Sequence, residues 1–95
     1  MPYIVMSDRM KVDSEINELV EKIKLLVKEN DDETSYLGLL NYTLTSIILY
    51  TIPKKKYWLI AGVTGVLQNI ISEFYRRYVA DYEDLKAEEN GDLSW

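Results

Sequence analysis

The chain has 95 residues, of which 47% are hydrophobic and 28% are charged, and its net charge is −5. This balance predicts one globular domain, near the size at which a partner subunit helps to complete a core. The acidic charge argues against a nucleic-acid partner, because phosphate backbones are held by basic side chains. The absence of cysteine and histidine excludes disulfides, thiolate nucleophiles, Cys/His zinc sites and histidine acid–base catalysis.

Residues 1–12 predict an extended arm followed by a short turn. Tyr3, Ile4 and Val5 favour extended backbone, and no helical periodicity is visible around them. The segment has no basic stretch before its apolar residues, and its apolar run is short. We therefore expect no signal peptide and a cytoplasmic location.

The first helix is predicted over residues 13–29, with Asp13 as its N-cap. Apolar side chains recur in it every three or four residues, as on one face of an amphipathic helix. These residues are Ile16, Leu19, Val20, Ile23, Leu26 and Val27. A polar loop over residues 30–33 ends the helix.

The second helix is expected over residues 35–52, capped by Thr34 or Ser35 and ended by Pro53. Its apolar residues lie on nearly all sides, so we expect it to be buried on all sides, in part by a partner chain. They are Leu37, Leu39, Leu40, Leu44, Ile47, Ile48, Leu49 and Ile52. Asn41 and Tyr42 are expected to hydrogen-bond across to another helix, since a buried amide needs a partner.

The third helix is expected over residues 57–90, with Gly91 as the glycine that follows its C-terminus. At that length it would measure roughly 50 Å, whereas a compact domain of this size is about 30 Å across. We therefore expect it to extend beyond its own globule or to break. Ala61, Gly62 and Gly65 offer a small-residue face for close helix packing.

Two uncharged stretches leave a membrane hairpin as an alternative. No charged residue lies between Glu33 and Lys54, or between Lys56 and Glu73, and each stretch approaches the roughly 17–25 residues of a spanning helix. Both stretches carry several amide and hydroxyl side chains, however, and these suit helices that are buried against protein. We expect no membrane contact.

Aromatic and apolar residues near the C-terminus predict an interface between chains. They follow each other at intervals of 4, 3, 4 and 3 residues, which is a short heptad-like seam. The members are Ile71, Tyr75, Tyr78, Tyr82 and Leu85, and Phe74 widens the seam. We predict a homodimer or higher oligomer through the second and third helices, with Tyr78 and Tyr82 buried on assembly. Stacking of the tyrosines on a nucleotide base is the alternative.

Charged residues beside the seam allow an enzymatic hypothesis. A polar or anion site is conceivable at Asn41, Tyr42, Glu73, Arg76 and Arg77, because an arginine pair can clamp a phosphate. Weak candidates for a magnesium site are Asp81, Asp84 and Glu88, which share a helix face. All-α nucleotide pyrophosphohydrolases use paired acidic motifs on two facing helices, but the second helix here has no carboxylate between Ser35 and Pro53.

Short motifs span almost the whole chain. They are MPYI with Asp8-Arg9, LNY at residues 40–42 with Thr45 close behind, GVL at 65–67, EFYRRYVADYED at 73–84 and ENGD at 89–92. On these motifs the chain resembles a small uncharacterised family of proteins encoded in phage, bacterial and archaeal genomes. The resemblance implies a soluble, self-contained domain and no particular activity. Its motif positions are Asn41, Tyr42, Glu73, Tyr75, Arg76, Arg77, Tyr82, Glu83, Asn90, Gly91 and Asp92.

Together these observations predict a single all-α domain over residues 1–95, with three main helices and a long C-terminal helix, packed as a helical dimer or higher oligomer. We predict a non-enzymatic protein-interaction module that binds itself and, as a further option, another protein. The alternative is a magnesium-dependent, nucleotide- or phosphate-handling all-α enzyme. No cofactor is expected.

Overall fold

The computed structural model describes residues 4–91. Helices account for 89% of these residues, and no strand occurs among them. Helix α1 spans Met6–Asn30, α2 spans Glu33–Thr51, and α3 spans Tyr57–Phe74; a π-helical turn at Tyr75–Val79 then leads into α4 at Ala80–Asn90. The last three segments form one continuous helix of 34 residues, which we call the long helix. The prediction of an all-α fold with three main helices and a long last one is confirmed.

The chain divides into two compact units, Met1–Pro53 and Lys54–Trp95, where the sequence predicted one domain. The first unit contains α1 and α2, which contact each other. The side chains that become half-buried in this pair include Ile23, Leu26 and Val27 in α1, and Leu39 and Leu40 in α2. All five lie within about two to three turns of the connection, so the hairpin packs close to its turn.

Helix α1 begins earlier than the sequence predicted. Residues 6–12 are helical rather than part of an arm, and Asp13 lies inside the helix rather than at its N-cap, which is Val5. Residues 1–3 of the predicted arm lie outside the described residues. The start is held by Arg9, whose Nε donates to the Ile4 carbonyl at 3.0 Å. Methionine, arginine and lysine in this segment favour a helix, and two or three β-formers do not outweigh them.

A two-residue turn joins α1 to α2. Asp31 adopts a left-handed conformation with φ of 48°, and its N–H donates to the Lys28 carbonyl. Asp32 is the N-cap of α2, where its Oδ1 accepts from the Thr34 N–H at 2.9 Å and from the Thr34 hydroxyl at 2.7 Å. The hydrogen bond from that hydroxyl, aided by the one from the N–H, lowers the pKa of Asp32. The prediction of Thr34 or Ser35 as the cap is therefore wrong: the carboxylate of Asp32, two residues before Thr34, is the stronger acceptor.

Proline and glycine set the remaining helix ends as predicted. Helix α2 stops at Thr51, and Ile52, directly before Pro53, has an extended ψ of 121°. A proline disfavours helical backbone in the residue before it. At the other end, α4 stops at Asn90 and Gly91 has a φ of 85°, a conformation that glycine adopts without steric cost.

None of the described residues is buried within this chain. Large apolar side chains stay well exposed on every helix, such as Met10 (69%) on α1, Leu37 (66%) on α2 and Tyr78 (68%) on the long helix. The expectation that α2 is buried on all sides is not met within one copy of the chain. Within residues 4–91, no helix combines the length and the apolarity that crossing a membrane requires.

Candidate functional site

The π-helical turn changes which residues of the long helix share a face. At its end, the Ala80 N–H donates to the Tyr75 carbonyl, five residues back rather than four. In a regular α-helix, Tyr82 would lie about 80° around the axis from Phe74, because eight residues at about 100° each separate them. The π turn absorbs one extra residue, so the separation becomes that of seven residues, or about 20°. Tyr82 is thereby brought almost into line with Phe74.

An exposed line of apolar side chains results, which we call the aromatic stripe: Leu67, Ile70, Phe74, Tyr78 and Tyr82. The rings of Phe74 and Tyr78 stack with their centroids 5.5 Å apart. The ammonium group of Lys86 lies 5.5 Å from the Tyr82 ring centroid, within the range of a cation–π contact. Phe74, Tyr78 and Tyr82 remain 58%, 68% and 56% exposed. The stripe is therefore an exposed apolar surface of the second unit.

The seam predicted from the sequence is altered by this geometry. Its spacing assumed a regular α-helix, whereas the π turn rotates Leu85 away from Ile71 and sends Tyr75 to the side of the stripe. There the Tyr75 hydroxyl donates to Glu83 Oε2 at 3.0 Å, which, with the nearby negative charge, raises the pKa of Tyr75. Phe74 takes the central place that the prediction gave to Tyr75.

A polar cluster joins the end of α3 to the π turn, with Glu73 in α3 and Arg76 and Arg77 in the turn. Arg76 Nη2 donates to both carboxylate oxygens of Glu73, at 3.1 and 2.8 Å, and Arg77 Nε donates to Glu73 Oε2 at 2.7 Å. The side chain of Glu73 is 30% exposed, and both arginines are more exposed. The hydrogen bonds from Arg77 and then Arg76 lower the pKa of Glu73. Both guanidinium groups thus already engage a carboxylate of their own helix.

The other two residues of the predicted polar or anion site lie in the first unit. The Thr45 hydroxyl donates to Asn41 Oδ1 at 3.1 Å, so this bond stays within α2 instead of crossing to another helix. The prediction failed because Asn41 is exposed and has a hydroxyl one turn away on the same helix. Tyr42 is 74% exposed. These residues line a shallow groove on α2 with Gly38 and Leu49.

The weak magnesium candidates do not form a cluster. Asp81, Asp84 and Glu88 all lie on α4. Across residues 4–91, no group of three or more acidic side chains comes together in a way that could hold a metal ion. Asp92, a motif position, lies outside the described residues.

One family of known proteins matches almost the whole chain. A family model described as "Domain of unknown function (DUF6899)" matches residues 1–93. The chain belongs to the DUF6899 family. This agrees with the resemblance to a small uncharacterised family, and the match spans both units of the chain. No curated protein and no solved structure is detectably similar to it.

The Glu73 cluster of this DUF6899 chain predicts a pH dependence. Because the pKa of Glu73 is below its ordinary value of 4.5 in the folded state, its ion pairs stabilise the fold above about pH 4.5, and that contribution is lost as the pH falls through the folded pKa. Glu73→Gln should therefore lower the melting temperature at pH 7 and make less difference at pH 2.5. The control is Glu88→Gln, which removes a carboxylate from the same long helix. Glu73→Gln and wild-type melting curves that differ equally at both pH values would contradict the assignment.

Proposed function

We propose that this protein is a non-enzymatic helical interaction module that acts by self-association, with the aromatic stripe as its contact surface. The observation that carries the proposal is the absence of any buried residue among residues 4–91. Burial of apolar surface is the main favourable contribution to folding. Two ordered units that leave their apolar side chains exposed therefore need another surface against which to bury them.

The size of the stripe supports this function. An aromatic side chain can bury 150–250 Å², so Phe74, Tyr78 and Tyr82, each more than half exposed, would bury roughly 350 Å² per chain. A standard interface needs about 800 Å² per partner. The aliphatic members of the stripe and their neighbours on the long helix would supply much of the rest. Tyrosines also suit such a contact, since the ring can be dry while the hydroxyl remains in water.

The setting we propose is the cytoplasm of a bacterial or archaeal cell, with phage genomes among the sources of the protein. A chain without cysteine gains nothing from an oxidising compartment. A second protein partner is compatible with the same surface once the homo-oligomer dissociates. The motif resemblance is what supports the phage origin.

Thermal unfolding at several protein concentrations tests the proposal. If folding is coupled to association, the melting temperature must rise with protein concentration, because mass action favours the oligomer. We expect a clear rise in the melting temperature over about a 100-fold range of protein concentration. A melting temperature that does not change with concentration would contradict self-association.

The same assay addresses the alternative of a phosphate-handling enzyme. Nucleotides are added with and without magnesium at a fixed protein concentration. A ligand present at 100 times its dissociation constant stabilises a protein by about 2.7 kcal/mol, which a melting curve detects easily. We expect no shift. Stabilisation that needs both nucleotide and magnesium would favour the enzyme over the interaction module.

A further inference from the structure

We propose that the aromatic stripe pairs with the stripe of a second copy in antiparallel orientation. The lysine-rich start of each long helix then lies beside the acidic end of the other. This inference rests on the proposed self-association and specifies its partner, its surface and its direction.

The charges of the second unit are separated along the helix axis. Lys54, Lys55 and Lys56 directly precede the long helix, and no charged residue follows until Glu73. Helix α4 carries five acidic residues and one lysine, a net charge of −4; the acidic residues are Asp81, Glu83, Asp84, Glu88 and Glu89. A parallel pair would place like charges together at both ends. An antiparallel pair places three lysines beside a net charge of −4 at both ends.

Each helix end also carries charges that oppose its own dipole. Cations are unfavourable at a helix N-terminus and anions at a C-terminus. Here the N-cap is Lys56, which makes no side-chain capping bond, and the first turn contains no acidic residue. The last turn of α4 contains no basic residue, and it does contain Glu88 and Glu89. An antiparallel copy places favourable charges at both ends of the helix dipole, because it brings carboxylates to the N-terminus and lysines to the C-terminus.

The two ends act independently. A helix of 34 residues separates them by about 50 Å, far beyond the Debye length of about 8 Å at physiological salt. Neither end can therefore neutralise the other within one straight helix. A second chain running in the opposite direction brings the opposite charges within range along the same stripe.

The stripe is complementary to the stripe of a second copy that runs in the opposite direction. Its first half is aliphatic, with Ile60 and Val63 continuing the line of Leu67 and Ile70 towards the N-terminus, and its second half is aromatic. A two-fold axis between Ile70 and Ile71 places each aromatic ring on an aliphatic side chain. The pairs are Phe74 with Leu67, Tyr78 with Val63 and Tyr82 with Ile60. Such a self-complementary patch is what a two-fold dimer requires.

Spin labels on single cysteines test the orientation, and the chain has no native cysteine to interfere. The full chain is labelled at Lys56→Cys, at Lys86→Cys or at Ser72→Cys, and the distance between the two copies is measured by pulsed electron resonance. In the antiparallel pair, positions 56 and 86 each lie about 15 residues from the axis, which gives about 45 Å between copies. Position 72 lies close to the axis and gives a short distance, near 20 Å, across two helix diameters of about 10 Å each.

Each outcome has one meaning. Long distances at 56 and 86 with a short one at 72 support the antiparallel pair. Short distances at all three positions mean a parallel pair and overturn this inference while leaving self-association intact. A long distance at 72 in an oligomer moves the contact off the stripe and also overturns the inference. No coupling between copies at any position means a monomer, which overturns the proposed function itself.

Discussion

Replacing Tyr78 and Tyr82 together by alanine should raise the dissociation constant of the homo-oligomer about 100- to 1,000-fold, a loss of roughly 3–4 kcal/mol. Both rings are more than half exposed in the single chain and lie on the aromatic stripe, where Tyr78 stacks on Phe74. Tyrosines near the centre of an interface are frequent hot spots, because they exclude water over a large area with few rotatable bonds. Sedimentation velocity over a concentration series gives the constant directly.

A second pair of tyrosines provides the matched control. Tyr50 and Tyr57 are 88% and 93% exposed and lie off the stripe. Their double replacement by alanine removes the same chemical groups, and it should change the dissociation constant less than 10-fold (about 1.4 kcal/mol). Equal losses of self-association affinity in the two double variants would show that the stripe is not the contact surface. A Tyr78/Tyr82 variant that stays fully oligomeric but loses a nucleotide ligand would favour the enzyme hypothesis over the interaction module.

Inserting one alanine between Ala80 and Asp81 should weaken self-association nearly as much as the loss of Tyr78 and Tyr82. The insertion moves every later residue one position along the helix, so Asp81 takes the place of Tyr82 on the stripe. A carboxylate buried in an apolar contact without a partner costs several kcal/mol. We expect the dissociation constant to rise at least about 100-fold, with the helix content by circular dichroism unchanged.

Deletion of Val79 is the matched control for the insertion. It removes the residue that the π turn accommodates, which allows a regular α-helix while Tyr82 keeps its place relative to Phe74. The deletion should therefore retain association, although it changes the chain length by the same amount as the insertion. If the deletion abolishes association and the insertion does not, the proposed alignment of the stripe by the π turn is wrong.

The sequence predicts the helices of this fold well where strong local signals exist. Pro53 disfavours helical backbone in the residue before it, and Gly91 adopts a positive φ without steric cost, so α2 and the long helix end there without the help of a tertiary contact. The start of α1 at Met6 is harder to predict, because Tyr3, Ile4 and Val5 directly precede it and favour extended backbone. The Arg9 side chain and the Val5 carbonyl decide it.

The candidate surface is predictable in composition and less so in geometry. Tyr78 and Tyr82 stand out in the sequence, but the seam drawn through Tyr75 and Leu85 assumes a regular helix. One signal for the π turn was present: Phe74, Tyr78, Tyr82 and Lys86 follow each other at intervals of four residues. That spacing drifts by about 40° at each step on an α-helix, so it makes one continuous line only where the helix takes in an extra residue. The absence of buried residues could not be predicted, because amphipathic periodicity shows which face is apolar and not what covers it.

Sedimentation equilibrium of the wild-type chain at micromolar concentration tests self-association most directly. Self-association predicts a mass of twice the 11.1 kDa of one chain or a higher multiple, with dissociation on dilution. A single species of 11.1 kDa across the whole concentration range would contradict it.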